Sequence, residues 1–279
     1  MIAAIEPNLT RAGALKVTAD ICAQLKKLGI DFVFSRANAA LAAQLGGGTS
    51  AQFYADCDIV IAVGGDGSII HSAKYAAAYG KPVLGINAGN VAFMAGLEAD
   101  ELELLDALNT GAYVVDSRMM LSADIIEDHR VIRSVSCLND AVFARGEGIY
   151  LTEMLVECDG VPVNKYRCDG IVIATPTGST AYSFAAGGPI VEPTLESILL
   201  TPVSPYAKSS RCIIFSSDST VKITPTDAHR AVFLSADGGE AARIPFGAYA
   251  VVRKHERYAD FIRIKNDKFW SVLDNKIEK

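Results

Sequence analysis

The chain has 279 residues, of which 50% are hydrophobic and 21% are charged, and its formal net charge is −6. This length and hydrophobic fraction predict a globular protein that is large enough for two domains. The negative charge argues against a broad electrostatic grip on nucleic acid or on an anionic membrane, so the composition favours a small polar ligand.

The sequence shows neither a membrane anchor nor a metal-binding pattern. No apolar run approaches the roughly 20 residues of a membrane-spanning helix, and the start, MIAAIEPN, reaches an acid and a proline before a signal-peptide core develops. We therefore expect a cytoplasmic protein. The six cysteines and four histidines lack metal-ligand spacing, so we predict buried free thiols and no metal ligands. The cysteines are Cys22, Cys57, Cys137, Cys158, Cys168 and Cys212.

The first hundred residues alternate between strand and helix patterns. MIAAIE predicts a short buried strand, and TRAGALKVTADICAQLKKLG predicts a helix that Gly29 ends. DFVF, DIVIAVG and KPVLGIN predict further strands, whose nearly continuous apolar character indicates a parallel sheet covered on both faces. A helix is predicted from Ser68 to Tyr79. Residues 1–98 are therefore predicted to form an α/β domain.

After a small helix at about 100–108, the pattern changes to short β-rich runs separated by turn signals such as DG, DGG and TPTD. Strands are predicted in 112–145, 151–163, 170–174, 211–215, 221–224 and 231–235. Residues 99–257 are therefore predicted to form a β-rich second domain. The tail, about 258–279, has an apolar pattern that predicts packing against the first domain.

A glycine-rich turn, GGDGS, follows the strand IVIAV and precedes a predicted helix. This arrangement places backbone N–H groups and a helix N-terminus at the carboxyl edge of the sheet, which suits phosphate. The turn is not a Walker A loop, because no Gly-Lys-Ser/Thr follows, and Ile70 stands where a Rossmann turn has its third glycine. The predicted phosphate-binding residues are Gly64, Gly65, Gly67 and Ser68.

Asp66 lies in the middle of this turn, where a carboxylate would repel phosphates unless it has another role. It could hold a magnesium ion, or it could orient and deprotonate a hydroxyl nucleophile during phosphate transfer. The alternative is a tight turn in which Asp66 accepts hydrogen bonds from its own backbone amides.

A second stretch, DGIVIATPTGSTAYSFAAGGP at residues 169–189, places many small hydroxyl residues after a strand. Thr177, Ser179 and Thr180 can donate hydrogen bonds, and Tyr182 offers a ring for stacking on a base. The stretch therefore predicts contacts with ribose, adenine and phosphate. The alternative is a polar surface loop that leads into a helix capped by Ser179 or Thr180.

Four motifs, VGGDGS, GINAGNVAFM, LNDAV and DGIVIATPTGSTAYSFAAGGPIVEP, resemble those of the bacterial NAD kinases in the same order. The long motif is specific, whereas Gly-Gly-Asp-Gly is shared with diacylglycerol and sphingosine kinases. The resemblance implies an α/β N-terminal domain with a parallel sheet plus a β-rich C-terminal domain. It also implies transfer of the γ-phosphoryl group of ATP, or of polyphosphate, to the 2′-hydroxyl of the adenosine ribose of NAD. Asp66 would be the catalytic residue that faces this hydroxyl.

The resemblance further implies a set of residues that bind NAD. They are Gly67, His71, Asn139, Asp140, Arg167, Asp169, Thr180, Ala181, Tyr182 and Ala185. Taken alone, Asn139 and Asp140 indicate a β-turn. His71 alone indicates a helix-surface residue, and Arg167 with Asp169 indicates a solvated salt bridge.

The NAD kinase interpretation implies Mg²⁺ held mainly by the phosphates of ATP. The protein would bind NAD and ATP as small-molecule substrates and would bind neither nucleic acid nor a membrane. It would form a homodimer or a homotetramer. The chain departs from the family pattern where Asn90 replaces an arginine, where Ala185 removes a hydroxyl, and where Gly239 stands in the place of a glutamine. Each lost hydrogen bond is worth about 0.5 to 1.5 kcal/mol.

Two other functions remain open from the sequence. A lipid kinase of the diacylglycerol or sphingosine type shares the Gly-Gly-Asp-Gly turn, but it would need an apolar cavity for acyl chains. A catalytically silent NAD(P)-binding protein would fit the three departures.

Overall fold

The structure, a computed structural model, describes residues 1–89, 92–146, 148–207, 210–265, 269–270 and 273. The chain forms two compact units, Met1–Ser117 with Ala259–Lys279 and Arg118–Tyr258. The first unit thus extends to Ser117, beyond the predicted boundary at residues 98–99. It does so because Leu105 and Leu108 pack in its core. The assignment of nucleotide binding to one unit and NAD binding to the other stays a prediction.

The first unit contains a parallel sheet and flanking helices. Its elements are β1 (Ile2–Pro7), α1 (Ala14–Lys27), β2 (Asp31–Ser35), α2 (Ala39–Leu45), β3 (Gly48–Ser50), β4 (Ile59–Gly64), α3 (Asp66–Ala77), β5 (Val83–Asn87) and α4 (Ala107–Thr110), with 3₁₀ turns at Arg36–Asn38 and Leu102–Asp106. The strand order is β3-β2-β1-β4-β5, and all these pairs are parallel. Phe261, from the end of the last strand of the chain, pairs in parallel with Val83.

The predicted α/β pattern is confirmed in this unit. Every residue of β4 is buried, as the continuous apolar run IVIAV predicts for a strand covered on both faces. Gly29 follows α1 with φ +69°, the left-handed conformation in which glycine commonly ends a helix. Helix α3 begins at Asp66, two residues before the predicted start. The turn and the start of the helix therefore coincide.

The second unit is rich in β-strands, as predicted. Its elements are β6 (Val114–Glu127), β7 (Arg130–Cys137), β8 (Asp140–Arg145), β9 (Thr152–Cys158), β10 (Val161–Cys168), β11 (Gly170–Ala174), a 3₁₀ turn (Thr177–Thr180), α5 (Tyr182–Ala185), β12 (Ser197–Val203), β13 (Ile213–Ser216), β14 (Val221–Pro225), β15 (Val232–Ala236), β16 (Ala242–Ile244) and β17 (Tyr249–Arg263). Strands β6 and β17 continue into the first unit.

Two antiparallel sets of strands supply one core in this unit. One set has the order β13-β12-β11-β8-β15-β16, and the other contains β10-β9-β14 followed by β17. Strands β8 and β11 are neighbours in the first set, with Asp140 opposite Ala174. The pairing therefore brings the LNDAV motif next to the strand that leads into the second motif.

All six cysteines are free thiols, as predicted, although only four are buried, because Cys158 and Cys212 are partly exposed. In the described part of the chain, no helix is long and apolar enough to cross a membrane.

Candidate functional site

Asp66 is held by a segment that follows the neighbouring strand. Its Oδ1 accepts a hydrogen bond from the Met94 N–H at 2.7 Å, and its Oδ2 accepts one from the Phe93 N–H at 3.0 Å. The alternative in which Asp66 bonds its own turn is therefore wrong. Because a carboxylate has about four lone-pair positions, each oxygen keeps one for a further donor such as a hydroxyl.

The glycine turn joins β4 to α3 and has the form predicted for a phosphate site. Gly65 precedes the helix with an extended backbone, Gly67 is exposed and Ser68 is half-buried. The Ser68 Oγ accepts a hydrogen bond from Asn8 Nδ2 at 2.8 Å. The Ser68 N–H donates to the Gly65 carbonyl at 3.0 Å. The N–H groups of Asp66 and Gly67, which precede it in α3, remain as donors for an anion.

Arg11 also lies against this turn, although it is outside every motif that predicts the site. A Cβ placed on Gly65 would lie 2.9 Å from Arg11 Cζ, and one on Gly89 would lie 2.6 Å from Nη1. Its guanidinium thus covers two glycines, and its planar group of N–H donors suits phosphate oxygens. The signal in the sequence is a basic residue soon after β1, the strand next to β4.

His71 lies one turn along α3 and is exposed. Its ring centroid is 4.7 Å from that of Tyr75 on the same helix. The structure thus places His71 on the helix surface, and its contact with NAD stays a prediction.

The LNDAV segment is held by Asp237, which is not among the site residues that the sequence predicts. The Asp237 carboxylate accepts hydrogen bonds from the N–H groups of Leu138, Asn139 and Asp140 at 2.9, 2.8 and 3.1 Å. In return the Asp237 N–H donates to the Asp140 carbonyl at 3.0 Å. Leu138 and Asn139 form a bend, and Asp140 begins β8, so the chain turns before Asp140 and continues as a strand.

Asp140 is a buried acid, with 5% of its surface exposed. Its carboxyl group has no hydrogen-bond or ion-pair partner among the described residues. Burial raises the pKa of Asp140 to about 7, and the negative charge of Asp237 adds to the effect. Because a buried polar group normally has a partner, this carboxyl group is a strong candidate for contact with a ligand.

The second motif packs directly against this segment. The Thr175 Oγ1 donates to the Leu138 carbonyl at 2.6 Å, and the Thr175 N–H donates to the Asn139 carbonyl at 2.9 Å. A Cβ on Gly178 would lie 2.1 Å from the Asn139 carbonyl oxygen, so only glycine fits there. The two motifs that are distant in sequence are therefore in contact.

Not every hydroxyl of this motif is free for a ligand. Ser179 is fully buried, and its Oγ donates to the Pro176 carbonyl at 2.6 Å and accepts from the Val191 N–H at 3.0 Å. The prediction of a ligand contact for Ser179 is therefore wrong. The alternative in which Ser179 or Thr180 caps the following helix is also wrong, because α5 begins after Ala181 and has no side-chain cap.

The residues that follow remain available. Tyr182 is 44% exposed, which leaves its ring free to stack on a base, and Ala181 and Thr180 are half-buried beside it. Ala185 is exposed and offers only a methyl group. Thr180, Ala181, Tyr182 and Ala185 therefore stay candidates for NAD binding.

Arg167 and Asp169 do not pair with each other, contrary to the salt bridge that they indicate alone. Arg167 Nε lies 3.2 Å from Glu153 Oε1, and Asp169 Oδ1 lies 3.1 Å from Arg145 Nε. The Arg167 guanidinium also lies over the ring of Tyr206. Arg167 lies near the end of β10 and Asp169 lies between β10 and β11, and their role in NAD binding stays a prediction.

The remaining features concern metal binding and the departures from the family pattern. Among the described residues, no group of three or more His, Cys, Asp or Glu side chains could hold a metal ion. Gly239 closes an exposed turn, where its N–H donates to the Ala236 carbonyl at 2.9 Å. Asn90 lies outside the described residues.

Comparison with known proteins identifies the family. The model of the ATP-NAD kinase N-terminal domain matches residues 9–113, and that of the C-terminal domain matches residues 138–264. An NAD kinase of Caldanaerobacter subterraneus subsp. tengcongensis is 32% identical over 97% of this chain and 96% of the relative. An NAD kinase of Symbiobacterium thermophilum is 37% identical over 80% of both chains.

Solved structures show the same fold. A yeast NADH kinase complexed with NADH is similar with a TM-score of 0.89 at 22% identity, over 100% of this chain and 87% of the other. An NAD kinase from Archaeoglobus fulgidus in complex with ATP is similar with a TM-score of 0.78 at 25% identity, over 100% and 99%. With its glycine turn, its oriented Asp66 and both family domains, the chain belongs to the ATP-NAD kinase family.

Proposed function

We propose that this protein transfers the γ-phosphoryl group of ATP to the 2′-hydroxyl of the adenosine ribose of NAD and so forms NADP. The observation that carries the proposal is the geometry of Asp66. Two backbone amides orient its carboxylate at the start of a helix, beside a turn with the features of a phosphate site.

In this reaction Asp66 accepts a hydrogen bond from the 2′-hydroxyl and receives its proton. The hydroxyl oxygen forms a bond to the γ-phosphorus while the bond from that phosphorus to the β-phosphate oxygen breaks, so that ADP leaves. Because the transition state of phosphoryl transfer is loose, the orientation of the hydroxyl matters more than early removal of the proton. The bonds from Phe93 and Met94 supply that orientation.

The donor phosphates would be bound by the glycine turn. Its residues are Gly64, Gly65, Gly67 and Ser68, and Arg11 adds a positive charge beside them. Mg²⁺ would be held mainly by the phosphate oxygens, which fits a turn that brings one carboxylate, Asp66, rather than a set of ligands. When bound, the ion neutralises charge on the phosphates.

The acceptor would be bound by the second unit. Asn139 and the buried Asp140 would contact ribose hydroxyls and base, and Tyr182 would pack on a ring. Thr180, Ala181 and Ala185 would flank the dinucleotide. From the family resemblance we add Arg167 and Asp169 here, and Gly67 and His71 from the first unit.

We also propose a cytoplasmic location and a homodimer or homotetramer. The first is supported by six free thiols, since disulfides form mainly in oxidising compartments. The second is supported by the family resemblance alone. The net charge of −6 favours small molecules over nucleic acid or membrane as partners.

Purified protein with ATP, Mg²⁺ and NAD should form NADP, measured through a coupled dehydrogenase that accepts only the phosphorylated cofactor. Parallel reactions with polyphosphate and with NADH identify the donor and the acceptor. No product at millimolar substrate would contradict the proposal. Tight NADP binding without turnover would then support a silent binding protein, and phosphorylation of a short-chain diacylglycerol would support a lipid kinase.

Arg11→Ala should raise the KM for ATP about tenfold, since a hydrogen bond to a charged group is worth about 1.5 to 3 kcal/mol. The KM for NAD should stay unchanged, and Arg11→Lys should restore part of the loss because it keeps the charge without the planar group. Steady-state kinetics with each substrate varied in turn measure both values.

The matched control for Arg11 is Arg36→Ala, because Arg36 is an exposed arginine of the same unit. It should leave both KM values unchanged. An unchanged KM for ATP in Arg11→Ala would remove Arg11 from the donor site.

A further inference from the structure

Asp237 combines an unusual backbone conformation with an unusual set of bonds. Its φ is +48°, the left-handed region that residues other than glycine seldom adopt, although Asp and Asn are enriched there. In this conformation its carboxylate accepts hydrogen bonds from three consecutive N–H groups, those of Leu138, Asn139 and Asp140. The carboxylate of this exposed turn is thus bound to a segment about a hundred residues earlier in the chain.

We propose that Asp237 is a positioning residue for the NAD site, which acts on the dinucleotide through Asn139 and Asp140. The inference rests on the proposed function, because it takes these two residues to bind NAD. Asp237 itself touches the backbone of the segment.

A second Asp-Gly turn in the same unit shows what an ordinary one does. Asp159 has φ +51° and also precedes a glycine, and its Oδ1 accepts a hydrogen bond from the Thr220 N–H at 2.8 Å. Asp159 thus connects its own turn to the neighbouring turn at Thr220. Asp237 instead holds the start of β8, where both predicted NAD-binding residues lie.

The contacts around this segment explain how a change at Asp237 would reach the ligand. The Asn139 carbonyl accepts the Thr175 N–H and leaves no space for a side chain on Gly178. If Asn139 moves, the turn that leads to Tyr182 must move as well. Asp237 therefore fixes the position of both motifs of the second unit.

Asp237 also acts through its charge. The residue opposite Asp140 on β11 is Ala174, and β15 ends at Ala236 immediately before Asp237. Within the part of the chain that the structure describes, Asp237 is the charged group that acts on Asp140, and its negative charge adds to the effect of burial in raising the pKa of Asp140. Without this charge, Asp140 should ionise at lower pH.

The test compares Asp237→Asn and Asp237→Gly with Asp159→Asn. Asn and Gly both tolerate a positive φ, so the turn is retained while the carboxylate is lost. We measure the dissociation constant of NAD by calorimetry, the KM values for NAD and ATP, and the pH dependence of NAD binding. Circular dichroism compares the folding of the variants.

For Asp237→Asn we expect NAD binding to weaken about tenfold while the KM for ATP stays unchanged. Asp237→Gly should weaken NAD binding further, because Asn still offers one acceptor oxygen. The pH dependence of NAD binding should move to lower pH in both variants. Asp159→Asn should match the parent in all three measurements.

Each outcome decides the proposal. Parent-like NAD binding in both Asp237 variants would overturn it even if the parent forms NADP. If the parent binds NAD without converting it, the proposed function fails and the dissociation constants still decide the role of Asp237. If the parent does not bind NAD, both proposals fail. An equal loss in Asp159→Asn would show a purely structural role for both turns.

Discussion

Asp66→Asn is expected to lower kcat by a factor on the order of 10² to 10⁴, with only small changes in the KM values for ATP and NAD. The amide cannot take the proton of the 2′-hydroxyl, and it presents an NH₂ group where a second acceptor oxygen is needed. Since the glycine turn is untouched, substrates should still bind. Single-turnover measurements with saturating ATP and NAD separate the chemical step from binding.

The structure also requires a control for folding in this experiment. Both Asp66 oxygens accept backbone N–H groups, and Asn can satisfy only one of them, so we expect a loss of about 1 to 3 kcal/mol of stability. Urea titration measures that loss separately. Asp20→Asn, an exposed residue of the same unit, should change neither kcat nor stability. A kcat for Asp66→Asn within tenfold of the parent would remove Asp66 from the catalytic role.

Local patterns predicted much of the first unit, because each depends on few neighbours. The run IVIAV predicts a strand buried on both faces, and every residue of β4 is buried. Gly29 predicts a helix end, and it adopts the left-handed conformation. The Gly-Gly-Asp-Gly turn likewise predicts a helix start, because the strand, the glycine turn and the helix follow one another directly in the sequence.

Some strands lacked a clear local pattern. SILLTPV in β12 is a short apolar run that contains a proline, and periodicity does not distinguish such a run from a buried helical segment. The long strand β17 carries charged residues in its middle, KHER, where the strand is partly exposed. Its ends pair with strands of different units, Val252 with Val221 and Phe261 with Val83, and such distant pairing leaves no mark in the local sequence.

Contacts between distant residues also limit how much of the site the sequence predicts. Asp237 lies about a hundred residues from the segment that it holds, and Arg11 lies far in sequence from the glycine turn, so neither belongs to a continuous motif. Ser179 shows the opposite case, because a hydroxyl-rich stretch predicts ligand contacts only if the hydroxyls are free. Whether they are free depends on the backbone of Val191, which packs against Ser179 and takes up its bonding capacity.

Asp140→Asn is expected to remove a loss of stability of the second unit that the parent shows between about pH 4 and pH 7. The pKa of Asp140 is raised from 3.8 to about 7 by burial, with a contribution from Asp237. The folded state therefore binds a proton more tightly than the unfolded state, so the stabilisation is complete below about pH 4 and is lost as the pH rises to about 7. Asn has no proton to lose, so this decline should be absent from the variant.

The raised pKa corresponds to a loss of about 4 kcal/mol in the contribution of Asp140 to the free energy of unfolding between acid and neutral pH. We therefore expect the free energy of unfolding of the variant, relative to the parent, to improve by about 3 to 4 kcal/mol between pH 4 and pH 8. Urea titrations followed by circular dichroism measure it, and hydrogen exchange of the β8 amides assigns the change to the second unit. Asp218→Asn, an exposed residue of this unit, should follow the parent at every pH. If Asp140→Asn also runs parallel to the parent, burial does not raise the pKa of Asp140, and the interpretation of Asp140 as a protonated buried acid is wrong.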